Sequence, residues 1–219
     1  MNRLLFEKAG DAVYLSHLDL MRVFQRAFRR ADIMIWHSQG FSPRAYVSIA
    51  MPLSVGASSV CEILDFEVED GSVDLALLPE KLNRTMPEGV RVLRAYESDR
   101  KIKQLVYLEA AVRLEYDCGI PDGAQAAIEA LFSGGQVVVH KRTKRGEADL
   151  DLFPMIHALE VRPLSAQELE LHCTVTAMNP ALNPQLLVTA VETHLPQYAP
   201  DFSSVHRIEV YDAEGKVFR

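Results

Sequence analysis

The chain has 219 residues, 48% hydrophobic and 24% charged, with a net charge of −7. That length and balance describe a globular protein with a sizeable core, in one large domain or two small ones. The acidic total argues against a general nucleic-acid coat. No apolar run reaches the roughly 20 residues of a membrane helix, and Met1–Asp11 has no signal-peptide region, so no membrane partner and a cytoplasmic location are expected.

Residues 3–8 read as a first strand, turned by Gly10-Asp11. Ser16 is a good helix N-cap, with Asp19 three residues on to close a capping box. Along the helix that follows, Leu20, Val23, Phe24, Ala27, Phe28 and Ala31 recur at the 3.6 period and define a core face. Arg22, Arg26, Arg29 and Arg30 fall on the opposite side. Asp19 is spaced to pair with Arg22, which leaves three arginines without an acidic neighbour on the helix. Such a face is either a solvated surface or a site for phosphate or an acidic partner, groups that the guanidinium fork matches.

Residues 33–36 read as a short strand. The loop Ser38-Gln39-Gly40-Phe41-Ser42-Pro43-Arg44 follows, too rich in Gly, Ser and Pro for a strand. Phe41 with Arg44 suits base stacking next to a phosphate contact, unless the ring folds inward as a plug. His17 and His37 flank this region and can act as an acid–base pair or as metal ligands. No motif links them, and a hydrogen-bonded structural role is the simpler reading. Residues 46–51 and 62–69 alternate as a hairpin, 74–86 read as a helix, and 90–96 as a closing strand.

After a polar linker at 98–104, the order repeats. Strands are expected at 106–116, 137–141, 155–162, 169–177 and 205–211, with helices at 122–132 and 184–194. The expected fold is therefore α+β: two tandem ferredoxin-like β-α-β-β-α-β units, at 1–98 and 105–219, each an antiparallel sheet with helices on one face. Charge is concentrated in two places. Residues 16–46 hold five Arg against two Asp, and residues 137–149 hold Lys141, Arg142, Lys144 and Arg145 against Glu147 and Asp149. The second cluster is either a solvated hairpin tip or a grip on a phosphate backbone or acidic partner. If both clusters line one surface, they form a directed basic site on an acidic body. Asp149 and Asp151, two apart on a strand, share a face and are expected to pair with the neighbouring Lys and Arg.

The blocks Leu15-Ser16-His17-Leu18-Asp19-Leu20, Arg26-Ala27-Phe28-Arg29-Arg30-Ala31 and Ser38-Gln39-Gly40-Phe41-Ser42-Pro43 resemble a bacterial radical-SAM-linked family of unknown function. Lys141-Arg142-Thr143-Lys144-Arg145-Gly146 with Asp149 and Asp151 resembles it as well. The resemblance implies a partner enzyme that carries S-adenosylmethionine and an iron–sulfur cluster. This chain is expected to hold no cofactor of its own: Cys61, Cys118 and Cys173 are far apart and lack the Cys-x3-Cys-x2-Cys spacing of such a cluster. Tandem units of the expected kind also resemble RNA-handling proteins of the CRISPR-associated repeat-processing type, although the glycine-rich loop of that type near the C-terminus is missing. The function expected is a non-catalytic accessory module for a radical SAM enzyme that binds or presents a structured RNA, such as tRNA or rRNA. The alternatives are an RNA-binding or processing protein acting alone, or a nuclease-like hydrolase using His17 and His37. No phosphate-binding loop, dinucleotide fingerprint or nucleophile elbow occurs.

Overall fold

The computed structural model describes all residues except 40, 42, 70–72, 144 and 145, with the backbone alone at 141–143 and 147. The chain divides into two compact units, Met1–Ile102 together with Arg219, and Lys103–Phe218. Both are α+β with antiparallel strand pairing. Among the described residues no helix is long and apolar enough to cross a membrane.

The first unit contains β1 (Asn2–Lys8), α1 (His17–Arg30), β2 (Val47–Ile49), β3 (Ser58–Phe66), α2 (Leu78–Asn83) and β4 (Val90–Glu97). β1 lies between β4 and β3, and β2 pairs with the far side of β3, all antiparallel. Alternation along β1 sends Leu4 and Phe6 into the core, where α1 meets them with Leu20, Phe24, Ala27 and Phe28. The Phe6 and Phe24 rings meet edge-on at 4.7 Å, and Phe28 lies 4.9 Å from Phe66 of β3. Aromatic pairs of this kind add to the apolar burial that holds the helix on the sheet. Ser16 caps α1 as expected: its Oγ accepts the Asp19 N–H at 3.2 Å and donates to the Asp19 carboxylate at 2.7 Å. Arg29 and Arg30 occupy the last turn, where positive charge complements the carbonyl end of the helix.

Two elements depart from the sequence reading. The helix expected over 74–86 is confined to Leu78–Asn83. Asp74 turns its carboxylate onto the Ala76 N–H at 2.9 Å, forming a turn, and Pro79 belongs in a helix's first turn, so the helix starts late. The strand expected over 33–36 is not a continuous ladder. Ile35 bridges to Val68 while His37 bridges to Ala45, so the segment serves two partners in turn. β3 also begins at Ser58, inside the stretch expected to be a connection.

The second unit contains β5 (Tyr107–Glu115), α3 (Ala124–Ser133), β6 (Val138–Thr143), β7 (Gly146–Asp151), β8 (Ile156–Pro163), β9 (Glu168–Thr176), α4 (Gln185–His194) and β10 (Phe202–Tyr211). β5 lies between β10 and β9, and β8 pairs with the far side of β9, again antiparallel throughout. Leu108, Ala110, Val112 and Leu114 of β5 stand opposite Val175, Cys173, Leu171 and Leu169 of β9, and all are buried. α3 supplies Ala124, Ile128 and Phe132, and α4 supplies Leu187, Val188, Ala190 and Val191, as the apolar complement. β6 and β7 form a separate two-stranded ribbon, closed by the Thr143–Gly146 pair. All three cysteines are free; Cys61 and Cys173 are buried, and burial pushes the Cys173 thiol up to about 12.

Candidate functional site

The amphipathic pattern of α1 sends its arginines to water. Arg22, Arg26, Arg29 and Arg30 are all exposed. Arg22 donates to Asp19 at 2.9 Å, the pair expected from the spacing. The Ser16 hydroxyl, followed by Arg22, holds the Asp19 carboxyl below the usual carboxylate range. Arg26, Arg29 and Arg30 have no acidic partner among the described residues. The helix therefore presents three exposed guanidinium groups without a carboxylate partner among the described residues, a surface suited to phosphate oxygens.

Between Ile33 and Tyr46 the chain folds back on itself. The Trp36 N–H donates to the Glu67 carbonyl at 2.9 Å, the Tyr46 N–H to the Trp36 carbonyl at 2.8 Å, and the Ser38 N–H to the Arg44 carbonyl at 2.9 Å. Ser38 Oγ accepts the Arg44 N–H at 3.1 Å, so the backbone on either side of the loop is pinned. Trp36, His37, Ser38, Gln39, Pro43 and Glu69 enclose an open cavity of about 350 Å³. His37 Nδ1 lies 3.2 Å from a Glu69 oxygen, half-exposed on both sides. Phe41 is fully exposed and Arg44 is exposed; the expectation of an inward plug does not hold. Gly40 lies outside the described residues. His17 sits at the start of α1, half-buried, and no hydrogen bond joins it to His37 among the described residues.

The basic cluster of the second unit falls on the β6–β7 ribbon. Lys141 and Arg142 stand opposite Ala148 and Glu147 in register; Lys144 and Arg145 lie outside the described residues. The side chains of Lys141, Arg142, Lys144 and Arg145 lie outside the described residues, and so does the expected pairing of the ribbon's aspartates with them. Asp149 pairs with His140, opposite it in register. Asp151 Oδ1 accepts the Val137 and Phe153 N–H groups at 3.0 and 3.1 Å, because those two amides have no strand partner where the ribbon ends. Among the described residues no group of three or more His, Cys, Asp or Glu is placed to hold a metal.

Sequence reading overlooked a polar network on the second unit's sheet. His172 Nε2 lies 2.7 Å from Glu109, and Tyr211 donates its hydroxyl to the same carboxylate. Arg162 donates to Glu170 at 2.9 Å and approaches His172 Nδ1 at 3.1 Å. Arginine can only donate, so Nδ1 accepts and the Nε2–H of His172 points at Glu109. The signal was legible: Glu168, Glu170, His172, Thr174 and Thr176 occupy every second position of β9 and must share one face. His206, opposite Ala111 in β10, is held below the ordinary imidazole value by burial and then by the Arg113 guanidinium, with Glu170 opposing. The unfolded chain therefore binds more protons than the folded one between that lowered value and about 6.5. Stability is expected to fall as pH drops through this window, and His206→Gln to flatten that slope in urea melts taken above and below it. An unchanged slope would remove His206 from the balance.

Fold and site together define a two-unit α+β protein of antiparallel sheets that displays exposed cationic and aromatic groups. The chain belongs to the bacterial family DUF2344, described as an uncharacterized protein conserved in bacteria, whose model matches residues 2–192. No curated protein matches it significantly. Its fold is similar to that in a crystal structure of a Cbf5–Nop10–Gar1 complex, at 9% identity and a TM-score of 0.52, over 95% of this chain and 48% of the other. Lesser likenesses are to the archaeal box H/ACA sRNP Nop10–Cbf5 complex, at 9% identity and TM-score 0.47 over 94% and 46%, and to an H/ACA RNP bound to a substrate RNA containing 2'-deoxyuridine, at 8% and 0.49 over 94% and 46%. The chain spans about half the length of the chains it matches in these structures.

Proposed function

We propose that the protein is a non-catalytic accessory module, built of two tandem ferredoxin-like units, that holds a structured RNA for a radical SAM enzyme. The fold part of this reading is supported by the sheets. In each unit the strand that opens the unit lies between the closing strand and the third strand of the β-α-β-β-α-β order, with the second at the edge; the β6–β7 ribbon is an insertion in the second unit. The radical SAM partner is supported by the sequence blocks that resemble the radical-SAM-linked family. S-adenosylmethionine and the iron–sulfur cluster would then belong to that partner.

The single observation that carries the RNA reading is the arginine face of α1, with Arg26, Arg29 and Arg30 exposed and lacking acidic partners among the described residues, in the same unit as the exposed Phe41. Guanidinium groups neutralise phosphates, and a protruding ring offers a stacking surface to an unpaired base. Arg26→Glu with Arg29→Glu tests it by fluorescence anisotropy on labelled tRNA. The wild type is expected to bind and the double variant to bind at least tenfold more weakly, with an unchanged melting temperature because both side chains point away from the core. Equal binding by a folded double variant would exclude this face, and turnover of RNA by the isolated chain would overturn the accessory reading.

A further inference from the structure

The loop beyond α1 does more than display Phe41. We propose that the cavity bounded by Trp36, His37, Gln39 and Glu69 receives a single unpaired nucleobase of the bound RNA, with Trp36 as its stacking surface. This rests on the RNA reading above and adds a discrete pocket to it.

The cavity is of the right size and kind. About 350 Å³ lies at the lower end of small-ligand pockets, room for one heterocycle and part of its sugar. Its walls combine one large aromatic with groups that hydrogen-bond in both senses. The indole is fixed in advance: the Trp36 backbone is bonded on both sides, to Glu67 and Tyr46, and the Tyr46 ring packs edge-on against it at 6.1 Å. A stacking surface already held in place need not be ordered when the ligand arrives. The contact with Glu69 fixes the His37 ring through Nδ1 and leaves Nε2 for a ligand. Gln39 is exposed and carries a donor and an acceptor on one flat amide, the pattern that reads a base edge. Ser38 Oγ accepts from the Arg44 backbone, which leaves its hydroxyl proton to donate. Arg44, exposed beside the cavity's Pro43, is placed in sequence to meet the phosphate of a base seated there.

Trp36 is the only tryptophan of the chain, so its emission reports on this cavity alone. Three probes separate the pocket from the arginine face: adenosine, a short single-stranded oligoadenylate, and inorganic polyphosphate, which has charge but no base. Adenosine and oligoadenylate are expected to quench Trp36 emission saturably, whereas polyphosphate binds without quenching. Gln39→Ala and Trp36→Ala, followed by anisotropy of labelled oligoadenylate, are expected to weaken binding by about tenfold and to leave polyphosphate affinity unchanged. Trp36→Phe keeps a smaller ring and should lose less, and exposed Gln39 serves if Trp36→Ala fails to fold. Oligoadenylate that binds without moving Trp36 emission, and equally well to Gln39→Ala, would overturn the pocket and leave the arginine-face reading standing. Failure of oligoadenylate and polyphosphate alike to bind would overturn both.

Discussion

Asp65→Ala is expected to destabilise the protein by about 3–5 kcal/mol, a large fraction of the roughly 5–15 kcal/mol that holds a domain folded. Arg3 of β1 stands directly opposite Asp65 of β3 in register, and both are buried. The guanidinium grips both carboxylate oxygens, at 2.6 and 3.2 Å, and its remaining donors reach Ser98 Oγ at 3.0 Å and the Arg100 carbonyl at 2.9 Å. Removing the carboxylate leaves a buried guanidinium charge without the carboxylate that stands opposite it. Replacing both partners together, Arg3→Met with Asp65→Leu, removes the charge as well, and is expected to recover most of the loss. Urea melts of the two variants check the argument. A double variant as unstable as Asp65→Ala would mean that the loss lies in packing at β1–β3 and not in a stranded charge.

Gly89→Ala is expected to cost at least about 2 kcal/mol. Gly89 has φ +82°, a conformation that a side chain resists. A Cβ placed there would lie 2.2 Å from the Ala9 carbonyl oxygen and 2.8 Å from the Ala12 methyl. The first is backbone, and it belongs to the residue whose N–H donates to the Gly89 carbonyl at 2.8 Å, so relief of the clash must break that bond. The position fixes where β4 enters beside β1. A melting temperature within a degree or so of the wild type would show that this crossing is soft.

Neither position stood out in the sequence. Arg3 and Asp65 are 62 positions apart, and nothing local says that a charged residue in a strand will point inward to a partner on the neighbouring strand. Asp65 reads as an acidic strand position until the register is known. Gly89 reads only as a helix terminator. Features set by local chemistry were legible: the Ser16 cap, the Asp19–Arg22 pair and the apolar face of α1 follow from spacing of three or four residues. The helix at 74–86 was over-extended because its leucine spacing was weighted above the Asp74 turn and Pro79, which decide where a helix can start. The cavity beside Trp36 was half legible. Ser38, Gln39 and Pro43 stood in the singled-out loop and His37 just before it, but Glu69 lies beyond the end of β3, and only tertiary pairing brings it there.

The salt dependence of RNA binding bears most directly on the central claim. If the arginine face of α1 holds phosphates, each phosphate neutralised releases a counterion, and log K falls linearly with log salt by roughly 0.7–0.9 per contact. The wild type is therefore expected to show a steep slope on tRNA, and Arg26→Glu with Arg29→Glu a slope shallower by about two contacts, with weaker binding at every salt concentration and an unchanged fold. A wild-type slope near zero, or the same slope in both proteins, would contradict phosphate recognition by this helix.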